Sequence, residues 1–215
     1  MCFSAEASAR SFLAGMVGSI LCVSLGTPTD KIVGFAIAFV SLMQGIEYLL
    51  WNHQKCDQWN RFLSVCGMTL THLQPFVIGL IILWINPQTG YRNPILALMI
   101  LYLAIIIPYS YNFIATRGAC TLKGKDHGNL IWKWNALPYS RFVYFAFLVI
   151  MACLFVLGMP SRLVGIIAAV CSVAIFSTSL ILYPREVAGA LWCYYTAFIP
   201  IVYYILRLTI PNIIQ

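Results

Sequence analysis

Long apolar runs separated by short polar stretches set the pattern of this 215-residue chain. Seven runs reach or approach about 20 residues, the length that an α-helix needs to cross a hydrocarbon core of about 30 Å. The runs cover residues 4–26, 32–51, 62–86, 94–115, 142–159, 163–183 and 187–206. The pattern therefore predicts an all-α fold, a single integral membrane seven-helix bundle over residues 1–215.

Composition supports this prediction and narrows the partners. Hydrophobic residues make up 61% of the chain and charged residues only 9%, whereas a soluble domain carries about a quarter charged residues. Because so few polar side chains cannot cover a water-facing surface, we expect most of the protein to be surrounded by a lipid bilayer. The net charge of +7 comes from short loops and forms no basic stripe. We therefore expect contact with anionic lipid and no nucleic-acid partner.

Prolines and small residues mark special positions inside the runs. Kinks are expected at Pro75 and Pro200, since proline leaves a backbone carbonyl without its helical partner; they would give either bundle shape or a functional hinge. Small residues recur along one face of the first run, at Ala14, Gly15, Gly18, Ser19 and Cys22. This spacing favours an internal packing face, with a homodimer seam as the alternative.

Basic residues are shared unevenly between the two ends of the predicted bundle. The end with the N-terminus collects nine: Arg10, Lys55, Arg61, Arg117, Lys123, Lys125, Lys133, Arg141 and Arg185. The other end has four: Lys31, Arg92, Arg162 and Arg207. By the positive-inside rule, this difference predicts a cytoplasmic N-terminus and an external C-terminus.

Three cysteines, Cys2, Cys56 and Cys120, fall near water at the N-terminal end of the predicted bundle. In a reducing cytoplasm they would be free thiols, whereas in the reversed orientation Cys56 and Cys120 could bridge two external loops. Cys56 and Cys120, together with His53 and His127, could also hold zinc, but the seven-residue step from Cys120 to His127 is looser than in known zinc motifs. We expect no metal and no other cofactor.

One ionisable residue, Glu47, lies inside the second run, four residues from its end. Gln44, Glu47 and Trp51 fall at i, i+3 and i+7, hence on one helical face. A carboxylate in a membrane helix is costly, so it indicates either a functional site or a structural ion pair. It could relay protons, bind a cation, or pair with Arg10 or Arg185.

His72 and Glu186 are the other candidate site residues. His72 lies near the predicted midplane on the same face as Thr69, and it could shuttle protons, bind a metal or simply form a hydrogen bond in the core. Glu186 precedes the seventh run, where an acidic side chain also suits the helix macrodipole. Cys193 follows seven residues later, so a narrow face leads from Glu186 into the bundle.

Two tryptophans, Trp132 and Trp134, flank Lys133 in the longest loop. Tryptophan is enriched at the headgroup level of membranes. We therefore expect both side chains to lie at the membrane interface.

Three patches carry a resemblance to a known group of proteins: the opening Met1-Cys-Phe-Ser-Ala-Glu-Ala-Ser8, the stretch Gln44-Gly-Ile-Glu47 that leads to Trp51, and Gly189-Ala-Leu-Trp-Cys193. The chain resembles an uncharacterised family of small polytopic membrane proteins, from bacteria and large DNA viruses, that begin with an MCFSA-type motif. This resemblance implies a multi-pass membrane protein and no activity. The family pattern has a serine where this chain has Ala190, so a hydroxyl is missing there.

These observations favour a polar pocket on the cytoplasmic side that binds or passes a small solute, a cation or protons. Its lining would comprise Glu47, His72 and Glu186, shaped by Gln44, Trp51 and Cys193. One alternative is a membrane-embedded enzyme acting on lipid, with Glu47 or His72 as general base. It would need a lateral opening and a nucleophile, and the sequence offers no convincing nucleophile. Another is a receptor or assembly module without a solute path, for which dense packing around Glu47 would be the sign.

Overall fold

The structure, a computed structural model, describes residues 4–115, 120–124, 128–182, 187 and 190–210, with residues 190 and 191 described by their backbone alone. Its helices are α1 (Ala5–Leu25), α2 (Pro28–Asn52), α3 (Gln58–Ile85), α4 (Arg92–Ala115), α5 (Ser140–Gly158), α6 (Arg162–Leu182), α7 (Ala190–Thr196) and α8 (Ile199–Thr209). Between α4 and α5 lie two short strands, β1 (Leu122–Lys123) and β2 (Leu130–Ile131), and a 3₁₀ helix, Lys133–Ala136.

Six of the helices, α1 to α6, are long and apolar enough to cross a membrane. They match the first six predicted runs, and side-chain caps explain where three of them begin. Ser4 accepts a hydrogen bond from the Ala7 backbone N–H, at 3.1 Å, and starts α1. Thr27 and Asp57 cap α2 and α3 and start both helices four residues earlier than predicted.

The seventh predicted run is not one continuous helix. It divides into α7 and α8, which are separated by a turn at Ala197 and Phe198, just before Pro200. α3 continues through Pro75 and α4 through Pro108 without such a break. Of these three prolines, only Pro200 lies beside a break, and there it occupies the first turn of α8, where a helix does not need the missing backbone N–H.

The small-residue face of α1 packs inside the bundle, as predicted. A Cβ atom at Gly15 would overlap the Ser41 hydroxyl of α2, and one at Gly18 would lie 3.0 Å from the Ile201 backbone nitrogen of α8. Glycine is needed at both positions because the neighbouring helices approach so closely. α2 and α8 therefore occupy the face that a homodimer seam would have used.

Disulfide and hydrogen bonds fasten the loop before α5 to the rest of the molecule. Cys56 is bonded to Cys120, with Cα atoms 5.6 Å apart. The prediction that these cysteines are free thiols is therefore wrong. The neighbouring Thr121 donates its backbone N–H to Asn60 Oδ1 and accepts from Asn60 Nδ2, at 2.9 and 3.0 Å, and these bonds hold Cys120 beside the start of α3.

The same loop turns back into the bundle. Trp132 and Trp134 are each only 2% exposed, so the prediction that they lie at the membrane interface is wrong. A Cβ atom at Gly67 would lie 3.1 Å from the Trp132 ring, and the Tyr109 hydroxyl donates to the Trp134 carbonyl. The loop can be buried because its backbone finds partners there. We call residues 120–124 and 128–139 the cap, and the end of the bundle that carries it the bridged end.

Candidate functional site

A row of polar side chains lies between α1 and α2 in the half nearer the bridged end. Ser11 Oγ donates to Gln44 Oε1 at 2.7 Å. Since Gly15 also faces Ser41, the antiparallel pairing of the two helices brings Ser8 to the level of Glu47. We call the five buried polar residues of this row the polar seam: Ser8, Ser11, Ser41, Gln44 and Glu47.

Several polar atoms of the seam have no hydrogen-bond partner within the part of the chain that the structure describes. They are the Ser8 and Ser41 hydroxyls and Gln44 Nε2. Trp51 Nε1, on the same face of α2, also has no hydrogen-bond partner among the described residues. A buried polar group without a partner costs about 1–3 kcal/mol. The seam therefore has unused capacity to bind a polar guest.

Glu47 is buried in the seam with only 1% of its surface exposed. α7, which carries Cys193, packs against α2 and also contacts α1. Arg10, one of the two predicted partners of Glu47, pairs instead with Glu6 in an exposed ion pair. The other, Arg185, lies outside the described residues, as does the candidate site residue Glu186.

His72 lies in a separate cage formed by α3, α4 and the cap. Its Nδ1 shares a hydrogen bond of 2.9 Å with Ser110 Oγ of α4. The rings of Tyr109 and Trp134 stand 5.5 and 6.5 Å from the imidazole. His72 Nε2 meets no hydrogen-bond partner among the described residues. Among the described residues, no hydrogen bond or ring contact links His72 with the polar seam.

Gln74, which sequence analysis missed, connects α3 with α7. Its Oε1 accepts from Trp192 Nε1 at 3.0 Å, and its Nε2 lies 4.0 Å from Cys193 Sγ. Gln74 is fully buried. An uncharged amide in an apolar run, directly before Pro75, was a signal in the sequence, because such groups often form hydrogen bonds between membrane helices.

A second missed group lies at the end opposite the bridge. The Asp30 carboxylate, fully buried, accepts from the Tyr203 hydroxyl at 2.6 Å and from Arg207 Nε at 3.3 Å. Asp30 also forms a capping box with Thr27. The spacing Thr27-x-x-Asp30 is a recognisable helix-start pattern, but the predicted run began at residue 32 and left Asp30 in a loop.

A cavity of about 400 Å³ lies in the half of the bundle away from the bridged end. Apolar side chains of α2, α5, α6 and α8 form most of its wall, and Trp192 of α7 closes it on the inside. None of the predicted site residues that the structure describes lines it. Gln44, Glu47 and His72 are buried, so the open polar pocket expected around Glu47 and His72 is closed.

The zinc site considered from the sequence loses two of its candidate ligands. Within the described ranges, no group of three or more His, Cys, Asp or Glu side chains is placed to share an ion. Cys56 and Cys120 are bonded to each other, so neither can act as a thiolate ligand. His127, the remaining candidate for that zinc site, lies outside the described residues.

Comparisons with known proteins identify no relative: no family model, curated protein or solved structure matches the chain. The resemblance carried by residues 1–8 and the two later patches stays a prediction. The chemistry of the site is therefore judged from its geometry alone.

Proposed function

We propose that the chain is an integral membrane protein, with α1 to α6 crossing the bilayer and the broken pair α7–α8 completing the bundle. The support is the length and apolar composition of the six helices. Large apolar side chains also remain exposed in the middle of these helices, among them Ile100, Ile107, Phe145 and Val170. A lipid environment explains this surface, which water would disfavour.

Within the membrane, we propose that the polar seam binds and passes protons or a small cation, as a transporter, channel or binding protein would. The observation that carries this proposal is the Glu47 carboxylate, buried among hydroxyl and amide groups at membrane depth. Placing a carboxylate there is costly, and such residues are retained chiefly in ion or proton pathways. Oxygen atoms dominate the seam, and hard cations prefer oxygen ligands.

The proposal is tested by Glu47→Gln in purified protein reconstituted into liposomes. The substitution keeps the size and hydrogen-bonding capacity of the side chain but removes its charge. We expect dissipation of an imposed pH, sodium or potassium gradient to be lost, while expression and thermal stability are retained. Glu6→Gln, which removes an exposed carboxylate of α1, is the matched control and should leave the flux unchanged. An undiminished flux in Glu47→Gln would refute the proposal.

Dense packing favours a second candidate, a receptor or assembly module without a solute path. Gln44 and Glu47 are each only 1% exposed, and neither lines the cavity. In that case wild-type protein would dissipate none of the imposed gradients, and Glu47→Gln would lower the thermal stability. The same reconstitution experiment thus separates the two functions.

Orientation in the membrane has two lines of support, and they disagree. Nine basic residues against four favour a cytoplasmic bridged end. The Cys56–Cys120 bond favours an oxidising compartment on that side. Four of the nine charges, Arg117, Lys123, Lys125 and Lys133, belong to the loop at 116–138, and without them the count is five against four. We therefore propose that the bridged end and the N-terminus face outward and that the C-terminus is cytoplasmic.

A fusion experiment tests this orientation. A fluorescent protein that matures only in the cytoplasm is attached after Gln215, and alkaline phosphatase, active only outside, is attached there in a parallel version. We expect fluorescence without phosphatase activity, together with a faster-migrating band on non-reducing gels that Cys56→Ser abolishes. Phosphatase activity at the C-terminus would instead restore the orientation predicted from the charges.

A further inference from the structure

The apolar cavity opens on the side of the bundle, between α6 and α8. Its rim is formed by Leu163 and Ile167 of α6 and by Val202 and Leu206 of α8, all of which are exposed, Val202 by 55%. α6 packs mainly on α5 and α7, so a gap remains beside α8. The mouth therefore faces whatever surrounds the apolar helices, which in a membrane is hydrocarbon.

The inner wall of the cavity is closed and apolar. Ile78, Met151 and Trp192 form its deepest part, and all three are buried. Because the Trp192 N–H already donates to Gln74, its ring carbons remain for contact with a guest. A volume of about 400 Å³ lies toward the small end of the roughly 300–1,000 Å³ typical of ligand sites. This shape and chemistry suit one flexible hydrocarbon chain.

Positive charge borders the cavity where it approaches the end opposite the bridge. Lys31 precedes the lining residue Ile32, and Arg162 precedes the lining residue Leu163; both basic side chains are exposed. Among the described residues, Asp30 is the one acidic side chain at this end, and its carboxylate is engaged by Tyr203 and Arg207. Lys31 and Arg162 are therefore available to an anionic headgroup at the membrane surface.

We propose that the cavity binds one acyl chain of an anionic phospholipid, with the phosphate held near Lys31 and Arg162. The proposal rests on the membrane insertion proposed above, but not on ion passage through the polar seam. The lipid would be a bound ligand that enters laterally from the bilayer. It would not be a substrate, since Cys171, the free thiol that lines the cavity, forms no hydrogen bond with a base among the described residues.

Native mass spectrometry of the purified protein from nanodiscs tests this site. The nanodiscs contain equal amounts of phosphatidylglycerol and phosphatidylcholine of the same chain length. We expect wild-type protein to retain one phosphatidylglycerol. Ala168→Phe fills the cavity, because Ala168 lines it, and should lower that retention about tenfold. Ala174→Phe makes the same change on the exposed face of α6 and should retain the lipid as wild type does.

A second variant keeps the test informative if Ala168→Phe fails to fold. The double substitution Lys31→Gln and Arg162→Gln alters only exposed side chains, and it should abolish the preference for phosphatidylglycerol over phosphatidylcholine. Equal retention of both lipids by wild type, or unchanged retention in a folded Ala168→Phe, would overturn the proposal. Carbonate extraction of the starting membranes shows separately whether the protein is inserted, so a failure of insertion is distinguished from a failure to bind lipid.

Discussion

The two halves of this bundle differ in what they bury. The half near the bridged end buries hydroxyls, amides and a carboxylate along the polar seam, and the cap closes over the neighbouring His72. The other half surrounds an apolar cavity and has a single buried ion pair, Asp30 with Arg207, among the described residues. Polar burial thus occurs in the half that carries the cap, and apolar space occurs in the half where only short turns join the helices.

One side chain, Trp192, forms the boundary between the halves. Its ring closes the cavity, and its N–H reaches Gln74, whose amide lies next to Cys193 at the polar seam. A structural change in the cavity could therefore reach the polar seam through Trp192, Gln74 and Cys193. The cap is part of the core of the bridged half, since its Trp132 and Trp134 are buried there. Substitutions in the cap and at Asp30 should therefore lower the stability of the two halves separately.

The largest effect is expected from removing the cap's main apolar contact. Trp132→Ala deletes a side chain that is 98% buried against α3, and it should lower the free energy of unfolding by about 3–5 kcal/mol. Trp84→Ala removes a tryptophan that is 70% exposed and should cost well under 1 kcal/mol, roughly the effect of a surface substitution. Thermal unfolding in detergent measures both. Equal losses would show that the cap only covers the bundle.

A smaller effect is expected in the other half, from Asp30→Asn. The substitution removes the buried charge opposite Arg207 but leaves an acceptor for Tyr203 and a competent helix cap. The stability should fall by about 2 kcal/mol, less than the 3–5 kcal/mol of a fully buried pair, because Arg207 is partly exposed. Glu6→Gln breaks the exposed pair with Arg10 and should cost less than about 0.5 kcal/mol.

Unfolding by denaturant can compare these two ion pairs directly. If Asp30→Asn and Glu6→Gln lowered the stability equally, burial at the end of α2 would have no energetic consequence. The carboxylate of Asp30 would then serve only in the capping box with Thr27.

The sequence predicted the parts of this fold that depend on local pattern. Run length predicted the six long helices, and the small-residue spacing predicted that the face of α1 at Gly15 packs internally. The predicted start of the first run at residue 4 agrees with the position of Ser4 as the cap of α1. Each of these features depends on residues within a few helical turns, which is why a single sequence suffices.

The parts that sequence analysis missed depend on contacts between distant residues. Cys56 meets Cys120 because Asn60 holds the backbone of Thr121, 61 residues further along the chain. Trp132 is buried because the loop turns inward, and hydropathy does not show this. For the candidate site, the common face of Gln44 and Glu47 was predicted, but the separation of His72 from that face follows from its contact with Ser110 on α4.

The smallest effect concerns the partly exposed pair of His53 and Asp57 at the bridged end. A hydrogen bond from the Asn60 backbone N–H, and a further one from the His53 ring, lower the pKa of Asp57 below its ordinary value of 3.8. A lowered pKa in the folded state stabilises the protein above that ordinary value, and the contribution is lost as the pH falls through the folded pKa. Asp57→Asn keeps the helix cap but cannot ionise. Wild type should therefore be slightly more stable than this variant at about pH 6, and the two melting temperatures should converge below about pH 3. If the difference in melting temperature stayed the same in acid, Asp57 would act through the shape of its side chain at the start of α3. Its charge would then contribute nothing to the stability of the bridged end.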